Sequence, residues 1–179
     1  MSLALKTDEI RLQKLTVLAA VATAKAIEAL SGKTVGIKWV NDIYIGNKKL
    51  CGILCERVAN PTDGKTLGVV IGIGVNLFVK DFPPELHAIA VSLNKNGITP
   101  KKLAIEITNQ ILSLTAGGQD FMQYYKEKSI LLGKEITYIK NNNEYIATAV
   151  DIDDSGALIV KDSDQNTIVL SSGDVMLKK

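Results

Sequence analysis

Residues 38–44 read Lys-Trp-Val-Asn-Asp-Ile-Tyr, and residues 48–54 read Lys-Lys-Leu-Cys-Gly-Ile-Leu. In the first stretch a short, apolar, β-rich segment runs directly into Asn41 and Asp42, and polar side chains at a strand end can point into a cleft. Gly46-Asn47 separates the two stretches, and this dipeptide between apolar runs predicts a hairpin. We therefore expect the second stretch to return beside the first.

The hairpin would bring Lys49 close to the two polar residues at the strand end. Gly52 has no side chain, so a ligand could approach the backbone closely at this point. These features suit a binding cleft that contains a cation. They are equally typical of a plain turn, a solvated lysine pair and a bulge glycine, and on the residues alone this second interpretation is favoured.

Residues 71–77 read Ile-Gly-Ile-Gly-Val-Asn-Leu, which places two glycines inside an apolar strand. Such a strand has a bare strip of backbone, and Asn76 supplies an amide for a phosphate, a ribose or a metal-bound water. A Rossmann site is excluded because the third glycine and the following helix are missing, and a phosphate-binding loop is excluded because no Gly-Lys-Ser/Thr follows. The continuous apolar run over residues 67–75 predicts a strand that is buried on both faces.

Outward from these stretches, helical periodicity predicts one helix from about Thr7 to Leu30, ended by Ser31-Gly32. Thr99-Pro100 predicts the start of a second helix that stops at Gly117-Gly118, because Thr is a good N-cap and Pro suits the first helical turn. A shorter helix is expected from Asp120 to Lys128. The order of helix, strands and helices predicts an α+β fold, and the first three residues are assigned to no element.

From about residue 130 the pattern changes to short strands only. They are predicted at residues 135–140, 145–152, 157–161, 167–171 and 175–177, with Asn-, Asp- and Gly-containing turns between them. Five short strands in so few residues predict a small SH3-like barrel. The chain is therefore expected to divide into an α+β domain over residues 1–129 and a barrel over residues 130–179.

Composition narrows the functional class. The chain has 179 residues, of which 46% are hydrophobic, and a net charge of +2, which by itself predicts neither nucleic-acid nor membrane binding. Cys51 and Cys55 are too few for a disulfide framework or a zinc site, so they are interpreted as buried thiols of a protein in the reducing cytoplasm. The single histidine, His87, lies in a Pro-rich loop and is expected at the surface.

The three motifs together resemble the signature of biotin protein ligases: Lys-Trp-x-Asn-Asp, then Lys-Leu-x-Gly-Ile-Leu, then Gly-x-Gly-x-Asn. Val40 stands where the family usually has Pro, and Cys51 stands where Ala is common. Residues 154–158, Asp-Ser-Gly-Ala-Leu, resemble part of that family's C-terminal domain. The resemblance extends from about Thr16 onward. It implies a class II synthetase-like core, with a mixed sheet packed against helices, followed by the barrel.

The resemblance implies a reaction and a set of site residues. ATP and biotin would give biotinyl-5′-AMP, and the biotinyl group would pass to a lysine of a carboxylase carrier domain, with ATP and Mg²⁺ as co-substrates. It implies catalytic roles for Lys49 and Asp42. It also implies biotin contacts from Lys49, Gly52, Ile53, Leu54 and Gly72, and nucleotide contacts from Lys38, Asn41, Asn76 and Lys178. No metal site made of protein ligands alone is expected.

Family members also carry a Gly-Arg-rich loop that covers the adenylate, and many carry an N-terminal winged helix. Neither is present in these 179 residues, so we expect the chain alone to be weakly active or inactive. Two alternatives stay open: a non-catalytic, ligase-like binding module, and a relative of the lipoate or octanoate transferases. We further expect a carrier domain as partner, pairing of two copies through a sheet edge, no nucleic acid and no membrane.

Overall fold

Helices and strands separate along this chain as an α+β fold requires. A computed structural model describes residues 1–6, 12–117 and 120–178. Its elements are β1 (Ser2–Lys6), α1 (Leu12–Ser31), β2 (Gly36–Lys38), β3 (Asp42–Ile45), β4 (Lys48–Ala59), β5 (Thr66–Val75), a 3₁₀ turn (Pro84–Leu86), α2 (Pro100–Thr115), α3 (Phe121–Lys128), β6 (Glu135–Lys140), β7 (Asn143–Ile152), β8 (Leu158–Lys161), β9 (Thr167–Leu170) and β10 (Val175–Leu177). The predicted α+β class is confirmed. The predicted helix start at Thr7, Gly118 of the predicted helix stop, and residue 179 lie outside the described residues.

Local sequence signals explain the helices. Five of the six alanines of α1, all except Ala29, are fully buried, which lets this helix pack closely against the first sheet. Gly32 ends α1 in the left-handed region with φ of 68°, the conformation that glycine adopts without a steric cost. At the start of α2 the Thr99 hydroxyl accepts a hydrogen bond from the Lys102 amide at 3.1 Å. The predicted cap is therefore confirmed. None of the helices in the described ranges is both long and apolar enough to cross a membrane.

The first sheet has the strand order β1-β5-β4-β3-β2, with antiparallel ladders throughout. Among the described residues, parallel pairing occurs only at two isolated bridges. Val69, Ile71 and Ile73 of β5 point into the core, whereas Gly72 and Gly74 alternate with them on the other face. The prediction that this strand is buried on both faces is wrong, because the helices cover only one face of an antiparallel sheet.

Strand β1 is an element that the sequence does not predict. Ser2 pairs with Gly72 and Lys6 with Gly68, so the five residues of β1 form the edge of the sheet beside β5. The ladder continues to the first residue, where the Ile73 amide donates to the Met1 carbonyl at 2.9 Å. A short strand whose partner lies far along the chain has no local sequence signal, which explains why the pattern of the opening residues does not reveal it.

The second sheet contains the five C-terminal strands in the order β10-β6-β7-β8-β9, all antiparallel. The predicted strands are confirmed to within about two residues at each end. Asn141 and Asn142 have φ of 52° and 61° and form the tight turn between β6 and β7. Lys126 of α3 forms a 2.8 Å ion pair with Asp151 of β7, which joins this sheet to the helical layer. The division into domains at residue 130 stays a prediction.

Glu28 of α1 links this helix to α3 and to Val35, the residue before β2. Its carboxylate accepts hydrogen bonds from Lys128 Nζ at 2.6 Å, from the Tyr124 hydroxyl at 2.8 Å and from the Val35 amide at 3.0 Å. Burial raises the pKa of Glu28, but the three hydrogen bonds outweigh it and hold that pKa below the usual range. A carboxylate with a lowered pKa stabilises the fold above its unfolded-state pKa, and this stabilisation is lost as pH falls through its folded-state pKa.

Replacing Glu28→Gln should therefore lower the free energy of unfolding at pH 7 by about 1–3 kcal/mol, the cost of losing charge-assisted hydrogen bonds. The difference from the wild type should shrink as pH falls below about 5, where a free glutamate begins to take up a proton. Urea unfolding at pH 7, 5 and 3.5 measures both effects. Glu135→Gln, in an exposed pair with Lys178, is the control and should change little. A pH-independent difference would contradict the prediction.

Candidate functional site

One row of directly paired residues crosses four strands on the face of the first sheet that the helices leave open. Lys38 pairs with Asp42, Asp42 with Gly52, and Gly52 with Gly74. Residues opposite each other in an antiparallel ladder share a face, so two charged side chains are followed by two glycines. The row therefore has a charged end and a floor of bare backbone. Leu54 and Gly72 form the next row on the same face.

A β-bulge brings Lys49 to this face. Leu50 is an extra residue in β4, and it points into the core with no exposure. The shift in alternation lets Lys49 share a face with Gly52, although the two residues are an odd number of positions apart in the chain. Lys49 Nζ lies 2.7 Å from Asp42 Oδ1, and the two side chains are 44% and 16% exposed. A Cβ atom on Gly52 would lie 3.4 Å from Lys49 Nζ, so the ion pair sits directly beside the bare floor.

Asn41 braces the turn before β3. Its Nδ2 donates to the Ile53 carbonyl at 2.7 Å, and the Ile53 amide donates to the Asn41 carbonyl at 2.9 Å. The side-chain amide nitrogen is thus used within the protein, and a nucleotide contact by Asn41 stays a prediction. The Ile53 side chain is 2% exposed and lies in the core, whereas the neighbouring Leu54 is 58% exposed on the open face. Any contact of Ile53 with a ligand would therefore involve its backbone.

A cavity of about 310 Å³ lies over the glycine floor beside the ion pair. Its polar side is formed by Lys49, the two glycines of the row and Asn76, and its apolar wall by Leu86, Ile89 and Ala90. The wall is fixed to β4 by the Lys49 amide, which donates to the Ile89 carbonyl at 2.8 Å. The sequence does not predict this wall, because a single parallel bridge between Lys49 and Ala90 has no sequence signal.

The charge of Asp42 affects groups on the core side of the sheet. Burial, with a further contribution from Asp42, raises the pKa of the Cys51 thiol to about 12. Burial and then Asp42 likewise raise the pKa of Tyr125, whose hydroxyl donates to the Val40 carbonyl at 3.0 Å. Cys51 and Cys55 are free thiols, and Cys51 is buried. A neutral, buried thiol fills space in the core and is not a nucleophile at neutral pH.

Of the predicted residues, the structure brings together Lys38, Asn41, Asp42, Lys49, Gly52, Leu54, Gly72 and Asn76 on or beside the open face. Lys178 is not among them, and its Nζ pairs with Glu135 Oε2 at 3.2 Å on the second sheet. The part of the chain that the structure describes contains no group of three or more His, Cys, Asp or Glu side chains suited to a metal ion. The site offers a cation, a carboxylate and an apolar wall around bare backbone.

Two family models match the chain. Residues 1–76 match the biotin/lipoate A/B protein ligase family, and residues 131–178 match the biotin protein ligase C terminal domain. Among curated proteins, the bifunctional ligase/repressor BirA of Bacillus spizizenii is 36% identical over 172 residues, which cover 90% of this chain and 53% of that relative. The biotin–[acetyl-CoA-carboxylase] ligase of Mycobacterium tuberculosis is 31% identical, covering 79% and 52%. The chain thus spans about half the length of these curated relatives.

Solved structures share the fold. The apo structure of biotin protein ligase from Aquifex aeolicus aligns with a TM-score of 0.83 at 21% identity, covering 99% of this chain and 80% of that one. The complex of the Aquifex aeolicus enzyme with biotin and ATP aligns with a TM-score of 0.78 at 20% identity, covering 99% and 77%. At these identities the likeness shows the fold alone. Together with the two family models and the curated relatives, it shows that the chain belongs to the biotin protein ligase family.

Proposed function

We propose that this chain carries the central and C-terminal parts of a biotin protein ligase. Such an enzyme makes biotinyl-5′-AMP from biotin and ATP and transfers the biotinyl group to a lysine of a carboxylase carrier domain. The single observation that carries the proposal is the Lys49–Asp42 pair at 2.7 Å, beside the bare backbone of Gly52 and Gly74. A cation beside an open strip of backbone suits a carboxylate ligand that must lie flat against the sheet.

In the first step, a carboxylate oxygen of biotin forms a bond to the α-phosphorus of ATP, and pyrophosphate leaves with the electrons of the broken P–O bond. Negative charge from two anions converges where the new bond forms. The Lys49 ammonium is held by Asp42 at this end of the floor, so it is already oriented when the anions meet. Preoriented charge of this kind stabilises a transition state without further reorganisation.

In the second step, the amine of the carrier lysine attacks the acyl carbon of the mixed anhydride, AMP leaves, and the new amide nitrogen loses a proton. Asp42 is a carboxylate on the same face and only 16% exposed, which supports the proposal that it orients the amine and accepts that proton. Mg²⁺ bound to the triphosphate would neutralise part of its charge. No described group of carboxylates or histidines would hold the ion by itself.

The relatives support the proposal through their names, which describe a biotin–[acetyl-CoA-carboxylase] ligase and bifunctional ligase/repressors. One solved protein with the same fold is a complex with biotin and ATP. Several expectations stay predictions: a carboxylase carrier as partner, a homodimer, the absence of nucleic-acid binding, a cytoplasmic location, a nucleotide contact by Lys178, and weak activity of the 179 residues on their own.

Replacing Asp42→Asn should separate the two steps. The amide keeps the size of the carboxylate and can still accept a hydrogen bond from Lys49, but it is not a base. Biotin-dependent pyrophosphate release should fall by less than about 10-fold. Transfer from supplied biotinyl-5′-AMP to a carrier domain should fall by about 100-fold or more, the usual contribution of a positioned base. Asp63→Asn, in an exposed pair with Lys65, is the control for removing an acidic charge.

Both steps can be followed on the same protein preparation, with labelled pyrophosphate for the first and mass spectrometry of the carrier for the second. Equal decreases in the rates of the two steps would show that Asp42 is not the base and acts only as the ion-pair partner of Lys49. Normal transfer by the variant would show that the proton goes elsewhere. The 179 residues on their own are expected to be weakly active or inactive, so a low wild-type rate agrees with the proposal. A wild-type protein that also fails to bind biotin would contradict the proposed function itself.

A further inference from the structure

The turn that carries the site is anchored to a remote part of the fold. Residues 39–41 connect β2 to β3, and each contacts a different element. Trp39 Nε1 donates to the Gly156 carbonyl at 2.8 Å, and the Val40 carbonyl accepts from the Tyr125 hydroxyl at 3.0 Å. Only the third contact, from Asn41 to Ile53, stays within the first sheet. The orientation of this turn thus depends on residues outside the sheet.

We propose that Trp39 is a positioning residue, which uses the carbonyl of Gly156, in a turn of the second sheet, to fix the turn that presents Asn41 and Asp42. This inference rests on the proposed function and assigns the C-terminal sheet a part in it. Trp39 is 4% exposed, so its N–H has no access to bulk water. Breaking the hydrogen bond to Gly156 would leave a buried donor unpaired, and this energetic cost keeps the indole in one orientation.

Gly156 is itself a rigid acceptor. It lies in the turn between β7 and β8, where Asp153 Oδ1 accepts from the Ser155 amide at 2.8 Å and from the Ala157 amide at 2.9 Å. Gly156 has φ of 90°, and a Cβ atom at this position would lie only 2.8 Å from Val17 Cγ2 of α1. The turn is therefore fixed by its own hydrogen bonds and by close contact with α1.

A second donor to the same carbonyl provides an internal control. Gln13 Nε2 of α1 donates to the Gly156 carbonyl at 2.9 Å, and among the described hydrogen bonds none joins Gln13 directly to the turn of the site. If the carbonyl only joins the two parts of the fold, losing either donor should have the same effect. If Trp39 sets the position of Asp42, only its loss should change catalysis.

The test compares Trp39→Phe with Gln13→Met. We expect Trp39→Phe to lower kcat for transfer to the carrier by roughly 10- to 100-fold, since a displacement of about 1 Å of a catalytic group can cost that much. The KM values for biotin and ATP should stay within about twofold, because the glycine floor and Lys49 are unchanged. Gln13→Met should leave kcat within about twofold. Equal kcat in the two variants would overturn the proposal.

A spectroscopic readout makes the outcome independent of turnover. Trp39 is the only tryptophan, so a single indole N–H resonance reports on the bond to Gly156. Asp153→Ala loosens the acceptor turn without touching the site, and it should shift this resonance together with the amide resonances of Asn41 and Asp42. If Trp39→Phe does not fold, Asp153→Ala alone tests the proposal. Unchanged Asn41 and Asp42 resonances in Asp153→Ala would overturn it. A wild-type protein that does not bind biotin, together with shifted resonances in Asp153→Ala, would instead contradict only the proposed function.

Discussion

Lys49→Met is expected to lower biotin-dependent pyrophosphate release by about 100- to 1000-fold. The ammonium is the cation within 2.7 Å of Asp42 on the floor of the site, and methionine keeps most of its length without its charge. Removing one preorganised charge or donor at a reacting centre typically costs a factor of this size. The variant also leaves Asp42, which is only 16% exposed, without its ion-pair partner. Isotope exchange between pyrophosphate and ATP, with and without biotin, measures the effect.

The neighbouring lysine is the matched control. Lys48 Nζ donates to the His87 carbonyl at 2.6 Å at an exposed position, and Lys48 is not among the residues that line the cavity. Lys48→Met should leave pyrophosphate release within about threefold of the wild type, because it removes the same net charge without touching the floor. Similar losses in both variants would indicate a long-range effect of net charge. Full activity of Lys49→Met would remove Lys49 from the proposed mechanism.

Gly74→Val should abolish ligand binding while leaving the fold intact. A Cβ atom on Gly74 would meet no heavy atom closer than the Gly52 carbonyl oxygen, at 3.9 Å, so the backbone leaves room for a Cβ atom at this position. That room is part of the cavity of about 310 Å³ in which the ligand is proposed to lie. A valine here would fill the place of the ligand, and we expect kcat/KM for biotin to fall by more than about 100-fold, as when several kcal/mol of binding are lost.

The stability of Gly74→Val should not fall together with its activity. Glycine inside a strand costs about 0.5–1 kcal/mol relative to alanine, and β-branched residues favour strands, so the melting temperature should rise or stay unchanged. Ala4→Val adds the same kind of side chain to the open face of β1, outside this cavity, and should leave activity unchanged. A destabilised Gly74→Val would mean that the glycine serves the fold. A stable variant with normal kinetics would mean that no ligand lies on this floor.

Elements with local signals were predictable from the sequence. The Thr99 cap, the hairpin between β3 and β4 and the strands of the second sheet each depend on residues within a few positions of one another. The one-sided burial of β5 was not predicted, although the alternation of Ile71 and Ile73 with glycines reflects it. Glycine has no side chain to be exposed, so a glycine on an open face reads as apolar and hides the alternation.

The roles predicted for the site residues stay predictions, and the geometry that brings most of them to one face was not predictable from the sequence. A period of two places Lys49 and Gly52 on opposite faces, and only the bulge at Leu50 reverses this. No residue type at this position predicts a bulge. Without it, either Leu50 would be exposed to solvent or a lysine would be buried, and this energetic cost cannot be recognised from local sequence. The wall at Ile89 and the anchor from Trp39 to Gly156 both depend on contacts between distant segments. Such contacts are fixed by tertiary packing, which local patterns do not record.

The topology of the first sheet also sets an order of folding. Strands β2 to β5 are a meander joined by short turns, and pairing Lys38 with Asp42 closes only four residues (42 − 38 = 4). By contrast, the contact of Met1 with Ile73 spans 72 residues. The second loop is longer than the first by about four doublings, which corresponds to about 2.5 kcal/mol of additional entropic cost of loop closure. The meander, which contains the Lys49–Asp42 pair, is therefore expected to form in the folding nucleus, and β1 to join its edge afterwards.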